Sequence, residues 1–253
     1  MRCLAFATAG LLLTLAASAR GEDVDFAHRC PSAQAWIDAR RASHPDGSQE
    51  AIARRDAARQ FSLPAVRKQL LARADTDQKA RDAVLAAPQA GRAALMKQVG
   101  AVDRDNLVWL KQEIAVHGFP TVAQVGEQGL ASAFLLVQHA DRDPAFQRAS
   151  LAALSTPARR RGISGQEFAM LTDRVLVHEG KPQRYGTQVH PDPAHPGRIV
   201  MGALEDPAQL DARRAAVGMM PEADYQCILR AVYHLPDPGP DGARPDGARP
   251  RQG

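Results

Sequence analysis

The stretch LASAFLLVQHA, residues 130–140, constrains this chain more than any other. At helical spacing it is apolar on nearly every side. A helix of that kind has no face to offer to water, so it has to lie at the centre of a bundle. Other helices must enclose it, and the sequence supplies them. Residues 33–43 and 50–61 have helical character, with Pro45-Asp46-Gly47 as the turn between them. Leu63, Val66 and Leu70 fall at i, i+3 and i+7, one face of a helix. Residues 76–87 predict a second helix, stopped near Pro88. Leu107, Leu110 and Ile114 mark a third, ended by His117-Gly118 with Pro120 beyond. Thr121 and Gln124 have capping-box spacing for a short turn ahead of the apolar run.

After that run, Asp143 and Pro144 suit the N-cap and first position of a new helix. Ser164 and Glu167 open another, which continues through Val177 with Gly180 past its end. Two last helices are expected over 207–217 and 221–233. The fold class is therefore mainly α, a bundle-like single domain. A small two-stranded β ribbon is expected near 184–204, pairing 185–189 with 199–204 across the Pro-rich loop HPDPAHPGR.

The chain has 253 residues, 45% hydrophobic and 5% aromatic, enough for one sizeable core filled mostly by alanine and leucine. Its formal net charge of +4 is spread among nearly as many acids as bases, which marks a solvated surface and not a nucleic-acid footprint. The first residues, MRCLAFATAGLLLTLAASAR, combine Arg2, a short apolar segment and Ala17-Ser18-Ala19. That is the pattern of a secretory signal peptide cleaved near Ala19. The segment is too short to span a bilayer, and no other segment is apolar enough to do so. The expected organisation is a signal peptide over 1–19, an N-terminal helical segment over 20–62, a helical core domain over 63–235 and a disordered Pro/Gly/Arg tail over 236–253. The expected location is periplasmic or secreted. Two cysteines remain after cleavage, Cys30 and Cys227. In an oxidising compartment they are either bridged or two buried thiols, and sequence alone leaves both open.

The informative residues are the polar ones that interrupt apolar faces. Asp173 falls at i+3 from Met170 and four residues before Val177. Gln138 and His139 close the most apolar helix. Gln147 shares a stripe with Leu151 and Leu154, and Asp77 and Arg81 form an i,i+4 pair with Gln78 beside them. Buried without partners, each costs on the order of 1–3 kcal/mol, so they should be partnered, most simply with one another.

In combination these residues resemble an uncharacterised bacterial family, a domain of unknown function. The matching pieces are Asp77-Gln78 with Arg81, the turn from His117 to Pro120, Gln138-His139-Ala140-Asp141, Asp173-Arg174-Val175, the run from Gln183 to Gln188, and a later LEDP…RRAAVG. The resemblance covers about 63–233. Phe119 stands where tryptophan is the commoner residue in that turn. The family brings no established activity, so the resemblance bears on where the site lies and not on its chemistry.

Several chemistries have no motif here. HExxH, CxxC and EF-hand loops are absent from the sequence, as are GxGxxG, the P-loop and GxSxG. No metal or cofactor is expected, and neither mature cysteine lies beside the polar residues. What remains is a polar pocket that binds a small polar or anionic ligand, or an envelope component, in an accessory role. Gln138, Arg174, Gln183, Arg184, Tyr185 and Gln188 are its candidate ligand contacts. The alternative is a hydrolase or lyase without a covalent nucleophile, in which His139 works as acid or base oriented by Asp141 or Asp173. A third reading is structural, with the polar network fixing helix register.

Overall fold

The structure is a computed structural model and describes residues 26–155, 162–192, 198–233 and 235. The expected signal peptide, residues 193–197 of the Pro-rich loop and the tail lie outside these residues. Among the described residues there are ten α-helices and one antiparallel strand pair, the mainly helical class with a small ribbon. No helix among them is long and apolar enough to cross a membrane.

Three helices precede the core: α1 (Phe26–Arg29), α2 (Pro31–Ser43) and α3 (Gln49–Ala57). Then α4 (Pro64–Ala86) and α5 (Gln89–His117) run back along one another. The sequence reading divided α4 in two near residue 76. The helix is continuous because no proline or glycine interrupts LLARADTD. Likewise α5 extends well upstream of its Leu107 stripe, through Gly91 and Gly100. It stops where expected, at Gly118, whose φ of 74° suits glycine.

The central helix is α6 (Val122–Gln138), which packs against α3, α4, α5, α7 (Pro144–Ala153) and α8 (Gly165–His178). Leu130, Phe134, Leu136 and Val137 form the main core with Leu70, Leu110, Leu154, Leu171 and Val175. The caps read from sequence are present. Phe146 N donates to Asp143 at 3.0 Å, Glu167 N to Ser164 at 3.1 Å, and Ser164 N to Glu167 at 2.7 Å.

The short capped turn and the apolar helix are one element, kinked at Gly126 (φ 75°). The kink frees backbone groups that need new partners. Asp56 of α3 supplies them, accepting from Glu127 N at 2.9 Å and Gln128 N at 3.0 Å. Arg67 of α4 donates to Asp56 at 2.9 Å and to the carbonyl of Val125 at 2.6 Å. A Cβ on residue 126 would lie 2.5 Å from the Arg67 guanidinium, so both the φ and the space require glycine.

Beyond α8 the chain makes β1 (Val189–Pro191) and β2 (Ile199–Met201), with Val189 opposite Met201. The ribbon is shorter than expected and starts at its far end, because residues 183–188 serve α8 instead. The chain closes with α9 (Leu210–Ala216) and α10 (Glu222–Val232). α2 and α10 share a second core that includes Ile37, Tyr225 and Ile228. Cys30 and Cys227 are joined there by a disulfide, with Cα atoms 5.9 Å apart. The bridged alternative is thus the one present, and it fits an extracellular location.

Two outcomes are expected. Burial pulls the Asp56 carboxyl upward, but the Gln128 and Glu127 amides and Arg67 outweigh it and leave it below its usual range. A depressed carboxyl stabilises fully above the unfolded value and loses that contribution as pH falls through the folded one. Asp56→Asn should cost about 2–4 kcal/mol in urea unfolding near neutral pH, with the difference from wild type shrinking in acid. Removing the disulfide by Cys227→Ser should cost about 2–5 kcal/mol, read in the same assay.

Candidate functional site

Four helices bring polar side chains to one place beside the C-terminal end of α6. From α4 come Asp77, Gln78 and Arg81, from α5 Asp103, from the end of α6 Gln138 and His139, and from α8 Arg174. Asp141 follows in the next turn of chain. His139 Nδ1 lies 2.8 Å from Asp77 Oδ2 and 3.0 Å from Oδ1. Arg81 Nε lies 3.1 Å from the same Nδ1 and 3.3 Å from Asp77 Oδ2, while its Nη2 donates to Asp103 at 2.6 Å. Gln78 donates to Asp77 at 2.9 Å. On the other side, Arg174 donates through Nη1 to Asp141 at 2.6 Å and through Nε to Gln138 at 3.2 Å. Gln147 joins the same Asp141 oxygen at 3.2 Å.

The floor is buried: Asp77 and Arg174 are each 1% exposed and His139 5%. The rim is more open, with the Asp103 side chain 19% and that of Asp141 28% exposed. Burial pushes the Asp103 carboxyl up to about 6; Arg81 opposes this, and Asp77 and Asp141 add to it. Burial also works upward on Asp77, but His139 and Arg81 hold it well below the usual carboxylate range. Burial lowers His139 more than Asp77 can raise it, favouring the neutral ring. Tyr233, the residue that ends α10, stands close enough for Arg174 and Arg81 to act on its phenol.

Residues 183–188 do different work. The Asp173 carboxylate of α8 accepts from the backbone N–H of Arg184 at 2.7 Å, Tyr185 at 3.0 Å and Thr187 at 2.9 Å, and from the Thr187 hydroxyl at 3.0 Å. On the opposite side, Arg214 of α9 donates to the carbonyls of Tyr185 and Met220, both at 2.7 Å. Its guanidinium also sits 4.9 Å from the Tyr225 ring centre. The loop is clamped with amides toward an anion and carbonyls toward a cation. Gln183 closes it, accepting from Gln188 N at 2.7 Å and donating to Gln188 O at 2.9 Å. Gly186 has a φ of 61°, which favours glycine, and a Cβ there would also displace the Met201 side chain.

The structure therefore groups the sequence-derived candidates into two sets. Gln138, His139, Asp141 and Arg174 meet in the cluster. Gln183, Tyr185 and Gln188 are buried, but Gln183 and Gln188 bond within the loop and to Met170, and Tyr185 packs on Ala169 and Met219. Arg184 is exposed, with its carbonyl accepting from Arg213 at 2.7 Å. His139 is oriented by Asp77, whereas Asp141 and Asp173 engage Arg174 and the loop. Sequence reasoning did not single out Asp103, Arg214 or Tyr233. Asp103 had a legible signal, since it precedes Leu107, Leu110 and Ile114 by four, seven and eleven residues on one helical stripe. Arg214 follows buried Leu210 by four.

Fold and site together define a disulfide-stapled, mainly helical protein with a mostly buried acid, histidine and arginine cluster, partly exposed at Asp103 and Asp141, at the end of its central helix. The chain belongs to a family of unknown function, DUF6624, whose model matches residues 64–236. No curated protein and no solved structure matches the chain. The matched span takes in the whole cluster and the clamped loop, and leaves α1 to α3 outside.

Asp173→Asn keeps one acceptor oxygen and turns its N–H₂ toward the donors of the other, either the Arg184 and Tyr185 amides or the Thr187 amide and hydroxyl. It should lower stability by about 3 kcal/mol or more in urea unfolding. Arg214→Met, which leaves the Tyr185 and Met220 carbonyls unpaired, should cost about 1–3 kcal/mol.

Proposed function

We propose that the protein binds a small polar ligand in an extracytoplasmic space, at the rim formed by Arg81, Asp103 and Asp141 over a floor of His139, Asp77 and Arg174. The observation that carries this reading is the convergence itself. An ion pair that only staples helices needs two partners, and here three carboxylates, two guanidiniums and an imidazole from four helices meet with Asp103 and Asp141 partly exposed. Two buried atoms at its borders support the reading. Gln147 Oε1, beside Asp141, and Asn106 Nδ2, one turn along α5 from Asp103, have no hydrogen-bond partner among the described residues. Unpartnered buried polar groups cost on the order of 1–3 kcal/mol each, which a bound polar molecule can offset.

The role is one of binding, with Arg174 and Gln138 as the buried wall and Arg81 nearer the rim. Catalysis by His139 with Asp141 or Asp173 has weaker support, because those carboxylates are engaged with Arg174 and the loop. A thermal-shift screen of small envelope carboxylates, phosphates and sugars checks the reading on the disulfide-bonded chain. A true ligand at about one hundred times its Kd should raise Tm by roughly 5–10 °C in wild type. The rise should vanish in Arg81→Gln. Equal shifts in both proteins would place the ligand elsewhere.

A further inference from the structure

We propose that Asp77, Asp103 and His139 form a site for one divalent transition-metal cation of the zinc or manganese class. The inference deepens the ligand-site reading and rests on it. One ligand atom from each residue lies within 4.8 Å of the others, and the three come from α4, α5 and the end of α6, helices packed directly on one another. A tetrahedral cation about 2.1 Å from its ligands sets them about 3.4 Å apart, so little movement is required. An imidazole with two carboxylates suits zinc or manganese better than calcium or magnesium, which favour all-oxygen sets.

The hydrogen bonding around His139 points the same way. Its Nδ1 faces the Asp77 oxygens, which only accept, and Arg81 Nε, which only donates, at 2.8 Å and 3.1 Å. A protonated Nδ1 meets Arg81 donor to donor. An unprotonated one meets Asp77 acceptor to acceptor. Neither tautomer satisfies both contacts: a protonated Nδ1 donates to Asp77 and leaves Arg81 Nε only its longer bond to Asp77 Oδ2 at 3.3 Å. A cation bound to the Nδ1 lone pair and to Asp77 removes the conflict.

Arg81 is the resident cation of the site: its guanidinium reaches all three proposed ligands. It is also the guanidinium nearer the rim, 13% exposed where that of Arg174 is 1%. Within the cluster, carboxylates outnumber guanidiniums by one, counting Asp77, Asp103 and Asp141 against Arg81 and Arg174. A divalent cation reverses that balance and releases Arg81. It also leaves a fourth coordination position for water or a ligand oxygen. The ligand of the rim is then an oxyanion, a carboxylate or phosphate, held jointly by the metal, Arg81 and Arg174.

Titration calorimetry on the chelator-treated, disulfide-bonded full chain tests this with Zn²⁺ and Mn²⁺, using Mg²⁺ and Ca²⁺ as comparators. One Zn²⁺ or Mn²⁺ per chain is expected. Affinity should fall about 100-fold or more in Asp103→Asn and in His139→Gln. Asp103→Asn is near-isosteric and partly exposed, and circular dichroism checks that it folds. Arg81→Met, which removes the competing charge, should bind about tenfold tighter. No binding by wild type, or equal binding in wild type and both ligand variants, overturns the metal site. So does weaker binding by Arg81→Met. Repeating the screen with acetate and inorganic phosphate, with and without metal, separates the two readings. Ligand shifts without any metal binding overturn the metal and leave the ligand site standing. Metal binding without a ligand shift supports the metal and overturns the polar-ligand reading.

Discussion

The rest of the structure depends on the need to enclose α6. From Ser132 to Val137 every residue of that helix is buried, so α3, α4, α5, α7 and α8 are arranged around it. Enclosure reaches past the apolar residues to Gln138 and His139 at its end. These cannot stay dry and unpaired, and the partners they find come from the enclosing helices. Asp77 sits on the face of α4 that also carries Leu70 and Ala74, and Asp103 sits on the stripe of α5 that carries Leu110. The polar cluster is the place where the apolar stripes of several helices run into the end of the most buried one.

The same logic recurs at the kink and at the loop. Breaking α6 at Gly126 strands backbone groups in the interior, and Asp56 with Arg67 replaces the lost partners. Residues 183–188 leave regular structure while buried, so their amides and carbonyls need acceptors and donors of their own. Asp173 and Arg214 provide one of each, on opposite sides. Burial draws both away from their charged forms, raising the Asp173 carboxyl and lowering the Arg214 guanidinium. All of Asp173's contacts are nonetheless donors, and an amide N–H can only be met by an acceptor. These two buried charges organise backbone, whereas the cluster at His139 gathers side chains beside solvent. That difference separates a structural clamp from a candidate site.

Much of this was legible in the residues. The central helix, the caps at Asp143 and Ser164, the stop at Gly118 and the burial of Gln138, His139 and Asp173 follow from period, capping chemistry and polar residues on apolar faces. What was not legible was pairing. Asp141 and Asp173 are nearer to His139 in the motif pattern than Asp77 is, yet Asp77 holds the ring. Sequence spacing ranks neighbours only along one helix, and these partners lie on different helices. The break placed near residue 76 failed for a related reason: two apolar stripes on one long helix look like two helices when read in short windows.

The sequence by itself determined a mainly helical chain, the helix that must be central, the local caps and the polar residues that could not be buried alone. Those follow from side-chain periodicity and from hydrogen bonds between residues a few positions apart. Tertiary structure alone decided that Cys30 meets Cys227, that Asp173 serves a loop, and that Asp77, Asp103 and His139 share Arg81. Each of those depends on how helices distant in the chain pack around α6, and no local spacing encodes that.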